Sequence, residues 1–352
     1  MAIQVGINGF GRIGRIALRS MIERGSRMWH ISGINLRNAD LDYMVYQVKY
    51  DTVFRTFTGR VEHDGTHLIV NGQKIRVYSY SEADKIPWDD CYAEYIIEST
   101  GAYLTKEKAS AHLKNGAKKV VISAPPKDHE TPVFVVGVNH DWYTPDMTVV
   151  SNASCTTNCL APMTKVINDE FGIEEALMST IHAATAKQKP VDSRAGRDWR
   201  TGRSVLGNII PTTTGAARAV TEVIPELKGR MTGMSFRVPT TDVSVVDLTA
   251  KLKTKTTYEE ICKAMEKAAL TNMHGIITCT TDQVVSSDLT GFPQPCIFDV
   301  TAGIMLNDDF VKLIAWYDNE WGYTNQLLDL IRHMYSVDYS TDTFIDERPI
   351  NM

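Results

Sequence analysis

Cys155 is the residue best placed to do chemistry. It lies in Ser151-Asn152-Ala153-Ser154-Cys155-Thr156-Thr157-Asn158-Cys159, where an apolar strand pattern gives way to helical spacing. A thiol at a helix start feels the positive end of the helix dipole, which lowers its pKa and raises the thiolate fraction. Hydroxyl and N–H groups of Ser154, Thr156 and Thr157 would surround it as an anion or oxyanion cradle. A lone cysteine is more often a small buried residue, but this polar setting favours a nucleophile. His182 closes the β-rich run Ala176–His182 and is the matching base if the fold brings the two together. Pro211-Thr212-Thr213-Thr214-Gly215-Ala216-Ala217 offers hydroxyls and backbone donors, and Phe236-Arg237-Val238-Pro239 a guanidinium; both suit phosphate. Cys159, one turn beyond Cys155, is expected to pack against the helix face. A metal site there would need two further ligands at helpful spacing, and none accompanies Cys155 and Cys159, so no metal site is expected.

A second constellation is Gly9-Phe10-Gly11-Arg12-Ile13-Gly14, between a strand pattern and a helix pattern. In that context G-x-G-x-x-G is a dinucleotide-binding fingerprint. Gly9 permits the tight turn, Gly11 lets backbone approach a pyrophosphate, and Gly14 allows close helix–strand packing. The helix N-terminus then offers free N–H groups to the phosphates.

These groups need elements to hold them. In the first 150 residues strands alternate with helices: Ile3–Asn8, Trp29–Ile34, Tyr95–Glu98, Lys119–Ile122, Val133–Val138 and Thr148–Ser151 as strands, Gly11–Arg24 and Lys106–Gly116 as helices. That alternation implies a mostly parallel, doubly wound sheet. Beyond the helix Thr156–Phe171 come longer strands, Ala176–His182, Gly233–Val238, Asp242–Ala250, Ile297–Ala302 and Phe310–Tyr317, with helices Tyr258–Leu270 and Asn325–Tyr335. Fewer helices between longer strands imply a mixed or antiparallel sheet. The long loop Lys187–Thr212 carries Arg194, Arg197, Arg200 and Arg203 and is expected to be functional or a subunit contact. At 352 residues, 43% hydrophobic and 22% charged, the chain suits about two globular domains. A net charge of −5 argues against nucleic acid as main partner. No apolar run approaches the roughly 20 residues of a membrane span, and no basic-then-apolar leader opens the sequence, so a cytoplasmic location is expected. Six cysteines in so long a chain make no disulfide framework.

Taken together the motifs resemble phosphorylating glyceraldehyde-3-phosphate dehydrogenases, from Ile3 to about Ile331. The resemblance rests on Asn8–Arg15, Tyr50-Asp51-Thr52, Glu98-Ser99-Thr100-Gly101, Ser123-Ala124-Pro125, the Ser151–Cys159 run, Asn208-Ile209-Ile210-Pro211, Thr214-Gly215-Ala216-Ala217 and Trp316–Tyr323. It implies an α/β chain: a Rossmann-type doubly wound dinucleotide-binding domain over 1–154, rejoined by a C-terminal helix 324–335, an α+β catalytic domain over 155–323 with a mixed or antiparallel sheet, and a tail 336–352. It implies that Cys155 forms a thiohemiacetal and then a thioester, with His182 as base, and that inorganic phosphate cleaves the thioester to give 1,3-bisphosphoglycerate. Thr185 and Arg237 would hold the substrate's phosphate. Ser154, Thr156, Thr214 and Gly215 would hold the attacking one. Cofactor contacts would come from Asn8, Gly9, Gly11, Arg12, Ile13, Gly14, Asn35, Arg37, Thr100 and Ser123, with Asn319 orienting the nicotinamide carboxamide. A homotetramer is implied, with residues 187–212 lining a neighbour's cofactor site. An erythrose-4-phosphate dehydrogenase shares the Cys-Thr-Thr-Asn-Cys run and is the near alternative; a binding protein that keeps the fold is the remote one.

Three departures stand out. Leu36 occupies the place of the ribose-binding carboxylate, so NAD is the expected cofactor with NADP admitted; Asn35, Asn38 or Asp40 would be left to meet the ribose, and Arg37 to meet a 2′-phosphate. Lys187 replaces an acidic residue two after Thr185, and the C-terminal tail is longer than usual.

Overall fold

The computed structural model describes residues 2–25 and 27–341. It divides into two units. One takes the chain up to Phe134, His140–Ala153 and the chain from Leu327 on; the other takes Val135–Asn139 and Ser154–Gln326.

In the first unit eight strands are found among the described residues: β1 (Ile3–Asn8), β2 (Trp29–Asn35), β3 (Val61–His63), β4 (His67–Val70), β5 (Gln73–Tyr78), β6 (Tyr95–Glu98), β7 (Lys119–Ile122) and β8 (Val149–Ser151). They lie in the order β3-β4-β5-β2-β1-β6-β7-β8. From β5 to β8 all neighbours are parallel, and β3, β4 and β5 form an antiparallel meander. Strands covered on both faces are apolar almost throughout, and β6, β7 and β8 are buried at every residue. Helix α1 (Arg12–Glu23) buries Ile16, Ala17, Leu18 and Met21. Each of the buried Ile, Leu and Met side chains stabilises by about 1.5–3 kcal/mol relative to exposure. Asp40 caps α2 (Leu41–Lys49), its Oδ1 accepting from the Tyr43 N–H at 3.1 Å.

Three boundaries differ from the sequence reading. Val133–Val138 is not a strand: only Val133 bridges to Ser151, after which the chain turns at Gly137 (φ 87°), with the Asn139 side chain accepting from Val135 N–H. A short buried apolar run looks the same in a strand or a turn. Lys106–Gly116 is α-helical only over α3 (Lys106–Ala109), then tightens to a 3₁₀ turn before Gly116. The last helix, here α7 because three more precede it, runs Trp321–Tyr339, longer than 325–335 at both ends. Asp338 explains its extension: it accepts from Tyr95 Oη at 2.6 Å and Tyr143 Oη at 2.8 Å. Residues 342–352 of the expected tail lie outside the described residues.

The second unit holds β9 (Ile173–Ala183), β10 (Ile210–Thr213), β11 (Met231–Val238), β12 (Ser244–Leu252), β13 (Ile277–Thr280), β14 (Cys296–Asp299), β15 (Ile304–Asn307) and β16 (Phe310–Tyr317), with α4 (Cys155–Phe171), α5 (Ala216–Val223) and α6 (Tyr258–Leu270). The sheet order is β10-β11-β9-β12-β16-β14-β13, with β15 beside β16. Pairing is antiparallel except β11–β9 and β14–β13, which are parallel. The expected mixed sheet is therefore present. Asp242 and Val243 fall outside β12 because Val243 adopts φ 60°. Residues 300–303 leave β14 because Asp299 Oδ1 turns the chain, accepting from Thr301 and Ala302 N–H. Pro211, Thr212 and Thr213 lie in the edge strand β10 rather than in an open loop.

Candidate active site

Helix α4 begins at Cys155 because Ser154 caps it, with Ser154 Oγ accepting from Thr157 N–H at 3.1 Å. Ala153, at φ 54°, turns the chain immediately before this cap. Such a left-handed non-glycine residue stores about 1–3 kcal/mol of strain, a frequent mark of functional sites. β9 carries His182, and β11 lies parallel to it with Arg237 paired to His182. Helix start and strand end thus bring Cys155 Sγ to 3.4 Å from His182 Nε2. His182 Nδ1 is 2.8 Å from the Ala183 carbonyl and 2.6 Å from an Arg237 guanidinium nitrogen. Arg237 also donates to Ala183 O at 3.1 Å.

Burial pushes the Cys155 thiol up from its ordinary value, while the Arg237 charge and hydrogen bonds from Thr156 pull it down. The expectation of a lowered thiol pKa therefore fails for the resting protein, because desolvation outweighs the Arg237 charge and the Thr156 hydrogen bonds. Burial, then the Arg237 charge, lowers His182 to about 3. A neutral imidazole facing a thiol can accept its proton.

The hydroxyls at the helix start turn partly inward. Ser154 and Thr157 hydroxyls bond each other at 2.7 Å. Thr156 Oγ1 bonds the buried Tyr317 Oη at 2.8 Å, which also meets Thr180 Oγ1 at 2.9 Å. Thr156 meets the Cys155 sulfur as well, through its side chain and its backbone N–H, so it is the member of the expected cradle that faces the thiol. The Tyr317 ring stands edge-on to His182 at 5.9 Å. Tyr317 was not among the expected site residues; its only signal was a tyrosine next to Asp318-Asn319, whose hydroxyl needs a partner when buried. Thr185 bonds Gln188 Oε1 through N–H and Oγ1. Thr214 Oγ1 accepts from Ala216 N–H at 3.2 Å, and Gly215 opens α5. Ile210 of β10 pairs with Arg237, whereas Thr213 pairs with Met234. Thr214 and Gly215 thus follow the end of β10 away from Arg237, and the anion-binding candidates fall into two groups. Asn319 is buried, its Oδ1 accepting from Ser244 Oγ at 2.7 Å, while Ser244 Oγ accepts from Ala183 N–H at 3.0 Å. Cys159 is buried on the inner face of α4, as expected.

In the first unit the glycine loop bends as its spacing requires. Gly9 has φ 98°, and a Cβ on Gly14 would lie 2.1 Å from the Gly9 carbonyl. A Cβ on Gly11 would meet nothing within 4 Å. That open side and the uncapped start of α1 fit a dinucleotide's pyrophosphate. Arg12 pairs with Asp51, so its backbone is what faces the loop's open side. The side chains of Asn8 and Asn35 do not reach outward. Asn35 Nδ2 donates to Asn8 Oδ1 at 2.8 Å and Asn35 Oδ1 accepts from Tyr80 N–H; Asn8 Nδ2 donates to Glu98 at 2.6 Å. Both residues hold the loop in shape rather than offering a free amide. Glu98, missed from sequence, is the hub: it also accepts from Thr100 N–H at 2.8 Å and meets His112 Nε2 at 3.0 Å. Trp88 donates to His112 Nδ1, so Nε2 carries the proton toward Glu98. Ser123 donates to the Glu98 carbonyl, Leu36 is half-buried and Arg37 is exposed.

A dinucleotide-type sheet in one unit and a thiol–imidazole pair on a mixed sheet in the other fit a nicotinamide-dependent oxidoreductase. Residues 3–106 match the NAD binding domain of glyceraldehyde 3-phosphate dehydrogenase and residues 154–319 its C-terminal domain. The cytosolic glyceraldehyde-3-phosphate dehydrogenase of Gracilaria gracilis is 54% identical over 94% of this chain and 98% of its own length. That of Chondrus crispus is 55% identical over 96% and 99%, and the enzyme of Phytophthora infestans 55% over 94% and 99%. The chain belongs to the glyceraldehyde-3-phosphate dehydrogenase family.

Proposed function

We propose that the chain oxidises glyceraldehyde 3-phosphate with NAD and inorganic phosphate to 1,3-bisphosphoglycerate, a step of glycolysis and gluconeogenesis. The observation that carries this is Cys155 Sγ at 3.4 Å from Nε2 of an imidazole that is neutral at neutral pH and whose Nδ1 faces the Ala183 carbonyl at 2.8 Å. Cys155 attacks the aldehyde carbon as its proton passes to His182 Nε2, and that proton then completes the thiohemiacetal hydroxyl. His182 next takes the hydroxyl proton as the carbon gives up hydride, leaving a thioester. Phosphate displaces Cys155, which regains a proton. The bound nicotinamide supplies the hydride acceptor. A thioester keeps the oxidation energy available for transfer to phosphate.

Thr185 and Arg237, near His182, hold the substrate's phosphate. Backbone donors at Ser154 and Thr156, with Thr214 and Gly215, hold the attacking phosphate. The cofactor is held by backbone of Gly9, Gly11, Arg12, Ile13 and Gly14, with Thr100 and Ser123 alongside and Asn319 on the carboxamide. NAD is the main cofactor, and Leu36 leaves NADP unrepelled. The chain works as a homotetramer through the loop 187–212, whose Val191, Trp199, Leu206 and Ile209 are exposed. A cytosolic location follows the naming of the Gracilaria gracilis and Chondrus crispus relatives. Phosphate-dependent NADH formation from glyceraldehyde 3-phosphate tests the reading. No reduction, or a higher kcat/KM with erythrose 4-phosphate, refutes it.

A further inference from the structure

All six cysteines are free, and all but Cys91 lie in the second unit. They are not scattered there. Cys155, partly exposed, opens α4, and Cys159 lies one turn further in. Cys159 Sγ lies 3.9 Å from the Ala315 carbonyl and 3.8 Å from that of Trp316, both on β16. β14 is the neighbour of β16 there, with Ile297 opposite Trp316 and Phe298 opposite Ala315. Cys296 is the residue before Ile297, and its thiol is near enough to that of Cys159 for the two to interact. Cys159 and Cys296 are both 0% exposed, so a dissolved oxidant meets Cys155 and neither of the others. The dehydrogenase chemistry uses only the first of these three thiols.

We infer that Cys159 and Cys296 form a resolving pair, which takes an oxidising equivalent from Cys155 and stores it as a disulfide in the core of the catalytic unit. The oxidant is a hydroperoxide. Cys155 attacks its outer oxygen, the O–O bond breaks, and the thiol proton, relayed by His182, leaves with the alcohol or water; Cys155 becomes a sulfenic acid. The Cys159 thiol attacks that sulfur and expels the hydroxyl as water, carrying off the thiol proton, to give a Cys155–Cys159 disulfide. Cα atoms four residues apart on a helix are about 6 Å apart, inside the disulfide range of roughly 4.4–6.8 Å. The Cys296 thiol then attacks the Cys159 sulfur. The Cys155–Cys159 bond breaks, Cys155 leaves with the Cys296 proton, and Cys159–Cys296 remains. Two thiols are oxidised by two electrons, and one hydroperoxide is reduced. The nucleophile is returned ready for use, so peroxide that would otherwise drive Cys155 to the irreversible sulfinic acid is absorbed once per chain.

This goes beyond the dehydrogenase reading and needs only that Cys155 be a reactive thiol. The test is hydrogen peroxide at one equivalent per chain, added to the full-length protein and its Cys296→Ser and Cys159→Ser variants. Timed samples are alkylated and mapped by mass spectrometry. In the wild type the 155–159 cross-link should rise and fall, a 159–296 cross-link should replace it, and Cys155 should become alkylatable again without added reductant. Cys296→Ser should start with unchanged activity, stop at the 155–159 cross-link and stay unlabelled at Cys155. Cys159→Ser should stop at the Cys155 sulfenic acid with that one equivalent, and a second equivalent should carry it to the sulfinic acid. A wild-type map without the 159–296 cross-link overturns the inference even if a variant fails to fold, as does equal recovery of Cys155 in Cys296→Ser. Because the map is read without the dehydrogenase reaction, either reading can fail while the other stands.

Discussion

Replacing His182 by Asn separates proton transfer from packing. Asn keeps a polar side chain but cannot take a proton. In the resting protein burial pushes the Cys155 thiol up from its ordinary value, and burial with the Arg237 charge holds His182 at about 3. Moving the thiol proton fully onto the imidazole before attack is therefore strongly uphill. The transfer then belongs to the transition state, where a positioned base contributes about 10²–10⁴-fold. Acylation in His182→Asn should slow by that factor, with little change in cofactor binding. The pH profile carries the sharper distinction. In the wild type the base is unprotonated at every pH above about 3, so acylation should be nearly flat across neutrality. In the variant only the small thiolate fraction reacts, and it grows about tenfold per pH unit until the thiol titrates. Rapid-mixing measurement of the first NADH turnover from about pH 5 to pH 9 reads both quantities. A variant burst within about threefold of wild type, or the same flat profile in both proteins, would refute the assignment of His182 as base.

Three further outcomes are expected. Gly14→Ala should lose cofactor binding and much stability, since its Cβ would meet the Gly9 carbonyl at 2.1 Å, whereas Gly11→Ala, with open space there, should melt like wild type and bind cofactor weakly; thermal melts and NAD titration check both. Leu36→Asp should raise the ratio of kcat/KM for NAD over NADP by about 10–100-fold, the worth of one charge-assisted contact, and a ratio already above about 1000-fold in the wild type would show that another group repels the 2′-phosphate. Asp242, pushed to about 9 by burial and by Asp318 and Glu320, keeps in the folded state a proton that the unfolded chain releases above about pH 4. Stability is therefore lost as pH rises through that window, and Asp242→Asn should gain about 1–3 kcal/mol, more at pH 9 than at pH 6, in urea denaturation.

Much of the fold was legible because hydrophobic period and glycine spacing are local. β1, the glycine turn and α1 follow from Ile3, Val5 and Ile7, then Gly9, Gly11 and Gly14, all within the first two dozen residues. The meander β3–β5 was missed: its strands are three to six residues long and half-exposed, so neither alternation nor an apolar run marks them. The end of α7 was missed for another reason. Its last turn is held by Asp338 accepting from two tyrosines 195 and 243 residues away in the chain, and no window along the sequence contains both partners.

The site shows the same division between residue type and residue direction. Cys155 and His182 were legible as a pair because the polar run at a helix start and the end of a β-rich run mark their places along the chain. Hydrogen-bond direction was not legible. Asn8, Asn35 and Thr156 carry groups that suit a ligand, and packing points their side chains at Glu98, at each other and at Tyr317. Asp40 is the case with consequences for cofactor choice. It lies four residues past Leu36, and sequence alone leaves it able to stand in for the absent ribose-binding acid. In the structure its Oδ1 caps α2 through the Tyr43 N–H. Swinging away would forfeit a cap worth about 1 kcal/mol, so Asp40 replaces the missing carboxylate only at the expense of the helix that follows. On the proposed reading of the cofactor site, Leu36 leaves the ribose without an acid, beside an exposed Arg37. That is the physical ground for expecting relaxed cofactor selectivity, and it makes Leu36→Asp, rather than any change at Asp40, the substitution that should restore a strict preference for NAD.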